Sequence, residues 1–159
     1  MRHAVALAIA LVMTGCPAPK PAETTPAAPA DVVTAARGTI EQWRQAYEVR
    51  SFDALAKLYA HDKDLVIVQD GTPIVGWTSG IEAMLRDRLA KAKDVRVTLK
   101  QVSVSSIAPT VAVAAATMTR EISDGVTTVK ENGALTLVLR HTADGWVIVQ
   151  EHYSYKRPS

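Results

Sequence analysis

The order of its apolar patterns predicts that this chain folds as an α+β domain. Apolar residues recur at helical spacing in the first half of the folded region, and long stretches with strand-like alternation fill the last third. Short turn sequences join those stretches, which predicts an antiparallel meander. Long, bent strands packed on helices would form a cone with a cavity between the two layers.

Length and composition indicate one domain with a short extension. The chain has 159 residues, 48% of them hydrophobic, which is enough apolar material for a core of moderate size. Its formal net charge is only +2, and its Lys and Arg residues are scattered among Asp and Glu. Because nucleic-acid binding needs a concentrated basic surface, no nucleic-acid partner is expected.

The N-terminus has the pattern of an export signal. Positive charge at residues 1–3 precedes an apolar run at 4–13, and Thr14, Gly15 and the single cysteine, Cys16, follow. The apolar run is about half the ~20 residues that a transmembrane helix needs. Residues 1–15 are therefore predicted to be a signal peptide.

The tetrapeptide from Met13 to Cys16 resembles the lipobox of bacterial lipoproteins, although that pattern prefers Leu where Met13 stands. The resemblance implies cleavage before Cys16 and lipidation of its thiol, and hence a membrane anchor in the cell envelope. Pro17, rather than Asp, follows the cysteine, which favours the outer over the inner membrane. An ordinary cleaved signal with an incidental cysteine is the alternative.

Residues 16–30 are rich in Pro and Ala and predict an extended spacer, so the folded domain is expected at 31–159.

Three helices are predicted in the folded domain. Asp31 would cap the first helix, Ser51 the second, and Thr78 or Ser79 the third. The residues predicted to face the core are Val33, Ala36, Ile40, Trp43 and Tyr47, then Phe52, Leu55, Leu58 and Tyr59, then Ile81, Met84, Leu85 and Leu89.

Six extended segments are predicted between and after these helices. Apolar residues in the third segment change from odd positions, ending at Leu99, to even positions, starting at Val102. Such a change predicts a bulge near Lys100 and Gln101 that bends the strand. The predicted strands are 65–68, 73–76, 94–107, 111–122, 126–140 and a last strand that starts at 145.

The order of these motifs between residues 33 and 154 resembles the SnoaL-like branch of the nuclear transport factor 2-like superfamily. The matching pieces are the helix with Trp43 and Tyr47, the segment 52–59, Gly76 before a helix, Asn132-Gly133 before an apolar strand, and the last strand. The resemblance implies a cone-shaped fold. The superfamily contains isomerases, dehydratases, cyclases and kinase association domains, so its fold does not determine function.

The last strand is predicted to form the floor of a pocket. Trp146, Ile148, Gln150, His152 and Ser154 alternate along it, so they would share one face that begins apolar and ends polar. Within that set, His152 is the candidate acid or base, because an ordinary imidazole titrates near pH 6.5. Alternatively, the three polar residues form a hydrogen-bonded network that closes one end of the cone.

Aromatic residues provide the other predicted ligand contacts. Trp43 and Tyr47 lie one helical turn apart, and with Tyr59 they would form a wall for an apolar ligand. Core packing is the alternative role. Asp62, Asp64 and Asp70 are further candidates, because a carboxylate there could pair with His152 or serve as a base. Turn and helix-end roles are the alternative for these aspartates.

Metal and cofactor motifs are missing from the sequence. It has no HExxH motif, no paired cysteines and no glycine-rich phosphate loop, so no metal or cofactor is expected. The preferred hypothesis is a lipid-anchored, homodimeric envelope domain that binds a small apolar or amphipathic ligand in its cone. The alternatives are an isomerase-, lyase- or cyclase-like enzyme using His152, and a module for dimerisation or protein interaction.

Overall fold

Residues 28–156 are described by a computed structural model, in which helices pack against one six-stranded sheet. The predicted signal peptide, Cys16 and all but the last three spacer residues lie outside this range. None of the helices within it is long and apolar enough to cross a membrane. The elements are α1 Pro29–Glu48, α2 Phe52–Ala56, β1 Val66–Gln69, β2 Thr72–Val75, a π-helical turn Trp77–Ile81, α3 Glu82–Lys91, β3 Asp94–Ala108, β4 Val111–Ser123, β5 Thr128–Thr142 and β6 Gly145–Lys156.

The sheet confirms the predicted α+β class and cone-like architecture. Its strand order is β2-β1-β6-β5-β4-β3, and β3 to β6 form the predicted antiparallel meander. β1 pairs in parallel with β6, so the first and last strands of the chain are neighbours. The core lies between α1 and the inner face of the sheet, where Trp43, Tyr47, Leu137, Ile148 and Tyr153 are among the largest fully buried side chains.

The first helix begins earlier than predicted. Pro29 occupies its first turn, where the missing N–H of proline costs nothing, and Asp31 is a first-turn residue rather than the cap. Val32 is buried in place of the predicted Val33, because it lies four residues before Ala36 on the packed face. The spacer therefore ends before residue 29, not at residue 30.

The second helix starts as predicted, and the third does not. The Ser51 hydroxyl accepts a hydrogen bond from the backbone N–H of Ala54 at 3.2 Å. Neither Thr78 nor Ser79 caps a helix: the chain turns at Gly76, whose φ is +79°, and enters the π-helical turn directly. The Ser79 hydroxyl instead donates back to the Val75 carbonyl at 2.7 Å.

Two of the irregularities in strand pairing bear on the site, one in β3 and one in β6. The first confirms the predicted break in β3: the pairing shifts between Lys100 and Ser103, and Gln101 adopts a φ of +53°. The second lies in β6 and was not predicted. Leu139 pairs with Ile148 and Val138 with Gln150, so Val149 is the extra residue on its strand.

Candidate functional site

The bulge at Val149 reverses which face of the last strand points into the cone. Ile148 lies inside, but after the extra residue the inward positions are Glu151, 1% exposed, and Tyr153, 0% exposed. A single inserted residue changes the face of every side chain beyond it, because strand side chains alternate with a period of two.

Gln150, His152 and Ser154 are exposed on the outer face of the sheet. The prediction that they form the floor of the cone is therefore wrong, and so is the polar network that was its alternative inside the cone. The aromatic residues Tyr153 and Tyr155 in the odd positions were the signal that could have revealed the bulge. A change of the apolar and aromatic residues from even to odd positions is the same kind of signal as the change that correctly predicted the bulge in β3.

The predicted aromatic wall is inside the cone. Trp43, Tyr47 and Tyr59 are at most 2% exposed. The rings of Trp43 and Tyr47 meet edge-on with centroids 4.8 Å apart, and the Trp43 indole N–H donates a hydrogen bond to the Tyr59 hydroxyl at 2.8 Å. The three residues therefore lie together in the structure, as the prediction of an aromatic wall requires. Their contact with a ligand stays a prediction.

Glu151 is the functional candidate that sequence reasoning missed. The Tyr59 hydroxyl donates to its Oε2 atom, so Trp43, Tyr59 and Glu151 form one hydrogen-bonded chain across the interior. Burial raises the pKa of the Glu151 carboxyl, an effect that the hydrogen bond from Tyr59 and the charges of Arg88 and Arg120 oppose. Burial and the charge of Glu151 also raise the pKa of Tyr59 well above its ordinary value.

Several buried polar atoms around this chain have no hydrogen-bond partner within residues 28–156. Buried polar groups in folded proteins nearly always have partners, so a concentration of exceptions marks a place of interest. The Tyr47 hydroxyl is one of them; it lies close to the Tyr59 hydroxyl, whose own hydrogen bond goes to Glu151. The unpartnered atoms are Tyr47 Oη, Gln69 Nε2, Arg88 Nη1, Glu151 Oε1 and Tyr153 Oη.

The register of the strands brings three of these residues together on one side of the sheet. Ile67 of β1 pairs with Glu151, and Gln69 pairs with Tyr153. Alternate residues share a face, so the side chains of Gln69, Glu151 and Tyr153 point to the same side, with two residues of rise, about 7 Å, between the two pairs.

A buried ion pair links β4 and β5 beside this group. Arg120, 4% exposed, donates from Nε and Nη2 to Glu131 Oε2 at 2.8 and 2.6 Å. Its guanidinium also lies 4.9 Å from the centroid of the Tyr153 ring. The charge of Arg120 is therefore already compensated.

None of the predicted acidic candidates is buried: Asp64 and Asp70 are exposed, and Asp62 is half-buried. Asp62 forms an ion pair with Arg140 at 2.9 Å and accepts from the backbone N–H of Asp64 at 3.1 Å, which are turn and surface roles. His152, which an aspartate was expected to assist, lies on the outer face opposite Thr136. Among residues 28–156, no group of three or more His, Cys, Asp or Glu side chains is placed to hold a metal ion.

Open space comes close to the interior chain at the Tyr59 end. A cleft of about 420 Å³ has Tyr59, His61, Asp62 and Arg140 among its lining residues. Tyr59 therefore separates this cleft from Glu151 by a single side chain. The volume of the cleft lies within the ~300–1,000 Å³ range of small-molecule sites.

The sequence pattern of the SnoaL-like domain matches residues 37–158, which is most of the chain. The chain belongs to the SnoaL-like domain family. Among proteins with curated descriptions, none matches its sequence.

Solved structures of the nuclear transport factor 2-like type share this SnoaL-like fold. A proposed dehydratase of the NTF2-like family from Streptomyces avermitilis is 20% identical, with a TM-score of 0.73 over 81% of this chain and 99% of its own. A proposed aromatic ring hydroxylase from Novosphingobium aromaticivorans is 20% identical, with a TM-score of 0.72 over 83% and 94%. An NTF2-like superfamily protein from Salmonella enterica is 16% identical, with a TM-score of 0.71 over 82% and 94%. At these identities the similarity shows the fold alone.

Proposed function

We propose that this SnoaL-like domain binds a small amphipathic molecule inside its cone, with Glu151 as a central polar contact. The observation that carries this proposal is the cluster of buried, unpartnered polar atoms from Tyr47, Glu151 and Tyr153 beside the aromatic wall. A ligand with an apolar body and a hydrogen-bonding group matches both parts. Its polar group would gain several hydrogen bonds, each worth about 1 kcal/mol net.

The geometry also supports a site that would bind the polar group of a ligand near Glu151. Trp43 holds the Tyr59 hydroxyl, which in turn holds one oxygen of Glu151, so the carboxyl is fixed with its second oxygen available. A fixed group loses little conformational entropy when a ligand binds, and preorganisation of this kind increases affinity.

Binding is best tested by calorimetry with a library of small aromatic and aliphatic amphiphiles, using variants inside and outside the cone. Tyr47→Phe removes an interior hydroxyl and Glu151→Gln replaces the interior carboxyl by an amide, each with little change in shape. His152→Ala is the matched control, because it changes β6 one residue away but on the exposed face. We expect binding to weaken about tenfold or more in the interior variants and by less than twofold in His152→Ala. The absence of any binding, or loss only in His152→Ala, would refute the proposal.

A second candidate function is proton transfer by Glu151. Burial raises the pKa of this carboxyl above its ordinary value, which favours its protonated form as a proton donor, and its Oε1 atom is free to contact a substrate. An isomerase or lyase of this kind would lose at least about 100-fold in kcat when Glu151 becomes Gln. Ligand turnover that Glu151→Gln leaves unchanged would exclude this role.

The anchor and the oligomeric state belong to the same proposal. Lipidation of Cys16 would hold the domain at the cell envelope, on the outer membrane, through the Pro/Ala-rich spacer. Mass spectrometry of the mature chain would detect the acyl groups, and Cys16→Ser would release the protein from membranes.

A homodimer would form through the outer sheet face that carries His152 and Thr136. Sedimentation would detect it, and Thr136→Arg would dissociate it.

A further inference from the structure

Gln69 and Arg88 form a small donor group that the proposed binding site does not yet use. Arg88 Nη2 donates to Gln69 Oε1, which fixes the two side chains relative to each other. Gln69 Nε2 and Arg88 Nη1 remain, and both are buried N–H donors without an acceptor. Two fixed, adjacent donors match the two oxygens of a carboxylate, which guanidinium and amide groups commonly bind in this way.

This donor pair belongs to the same interior as Glu151. Gln69 is paired with Tyr153 on the neighbouring strand, two residues along from the pair of Ile67 with Glu151. Arg88 is close enough for its charge to influence the carboxyl of Glu151 and the hydroxyl of Tyr47. A molecule bound at the polar end of the cone would therefore reach both the donor pair and the free oxygen of Glu151.

The two arginines near Glu151 differ in whether they have an acidic partner. Arg120 is paired with Glu131. Arg88 forms no direct ion pair within residues 28–156, although part of its guanidinium is buried. The unpartnered oxygen of Glu151 does not accept a hydrogen bond from it. A half-buried guanidinium without a direct ion pair is a suitable partner for an anion.

We propose that Gln69 and Arg88 bind the carboxylate of the ligand, so that the molecule held in the cone is a small organic acid with an apolar body. This inference rests on the proposed binding function and adds the chemical class of the ligand. The carboxylate would lie against Gln69 Nε2 and Arg88 Nη1, and the apolar body would extend along the wall of Trp43 and Tyr47. Glu151 would contact a donor on the ligand, or carry the proton itself.

The test compares acids with their uncharged counterparts. Calorimetry with the full mature domain would use pairs of monocarboxylates and matching carboxamides, such as phenylacetate with phenylacetamide and longer aliphatic pairs. The measured quantity is the acid-to-amide affinity ratio. Arg88→Met removes the charge and the Nη1 donor of the pair but keeps most of the apolar stem, and Arg88→Lys keeps the charge without the planar guanidinium. Lys91→Met is the control, because Lys91 lies on the exposed face of the same helix and pairs with Asp87.

We expect the natural chain to bind acids at least tenfold more tightly than amides. Arg88→Met would abolish that preference by weakening acid binding about tenfold or more while changing amide binding less than twofold. Arg88→Lys would give an intermediate ratio, and it serves as the decisive variant if Arg88→Met does not fold, as judged by thermal unfolding. Lys91→Met would keep the natural ratio.

Equal affinity for acids and amides in the natural chain would overturn this inference and leave the proposed function intact. So would an Arg88→Met variant that loses both classes equally. Failure of every acid and every amide to bind would instead refute the proposed function itself. The two claims are therefore distinguishable in one set of titrations.

Discussion

Replacing Tyr59 by Phe removes the central hydroxyl of the interior chain. That hydroxyl accepts from the Trp43 indole N–H at 2.8 Å and donates to Glu151 Oε2. Its loss leaves two buried polar atoms without partners, and each such atom costs about 1–3 kcal/mol. We therefore expect Tyr59→Phe to lower the free energy of unfolding by about 3 kcal/mol, although the ring itself is kept.

Urea unfolding followed by tryptophan fluorescence measures this change, and Tyr153→Phe is the matched control. It makes the same chemical substitution in an equally buried tyrosine, but the Tyr153 hydroxyl has no hydrogen-bond partner within residues 28–156. The control should be within about 0.5 kcal/mol of the natural chain, or more stable, since an unpaired buried hydroxyl contributes nothing to folding. Similar losses in both variants, or a loss below about 0.5 kcal/mol in Tyr59→Phe, would refute the hydrogen-bonded chain.

Three further predictions concern the strands, the titration of the interior and a helix cap. Gly133→Ala should lower the free energy of unfolding by about 3 kcal/mol or more, because the added Cβ would lie 1.8 Å from the Ser154 carbonyl oxygen; a normal melting temperature would contradict this. The folded chain raises the pKa of Glu151 above its ordinary 4.5, so this group makes the folded state bind protons more tightly than the unfolded state. Its contribution to stability should fall as pH rises from about 4.5 through the folded pKa, by up to about 1.4 kcal/mol per pH unit, and the difference between the natural chain and Glu151→Gln isolates it; a difference that does not vary with pH, or that grows in the opposite direction, would be contrary to this account. Ser51→Ala should cost about 1 kcal/mol through loss of the hydrogen bond to Ala54, and Ser51→Thr should restore most of it; chemical denaturation with no loss in Ser51→Ala would show that the cap is unimportant.

The helices and the meander follow from local patterns, so sequence reasoning predicts them well. The Ser51 cap is a local hydrogen bond. The bulge of β3 is visible because apolar residues on both sides of Gln101 show the change of phase. The aromatic wall of Trp43 and Tyr47 follows from helical spacing alone.

The polar interior could not be predicted in the same way. After the bulge at Val149 only Tyr153 and Tyr155 mark the inward phase, and Glu151, which precedes them, resembles an ordinary surface residue. Charged residues are rarely buried, which makes the outward assignment the natural expectation. The pairing of β1 with β6 joins residues about 80 positions apart, and no local pattern indicates that Gln69 lies beside Tyr153.

The carboxyl titration of Glu151 tests the central claim most directly. Carbon-13 NMR of a glutamate-labelled chain, assigned with Glu151→Gln, would follow this carboxyl as pH changes. The account predicts a midpoint clearly above 4.5, a resonance that moves when Tyr59→Phe removes the hydrogen bond, and no response to His152→Ala. A midpoint at or below 4.5 would show that burial does not dominate the titration of Glu151, and a resonance that is insensitive to Tyr59→Phe would show that the hydrogen bond is not formed; either result would contradict this structure of the interior.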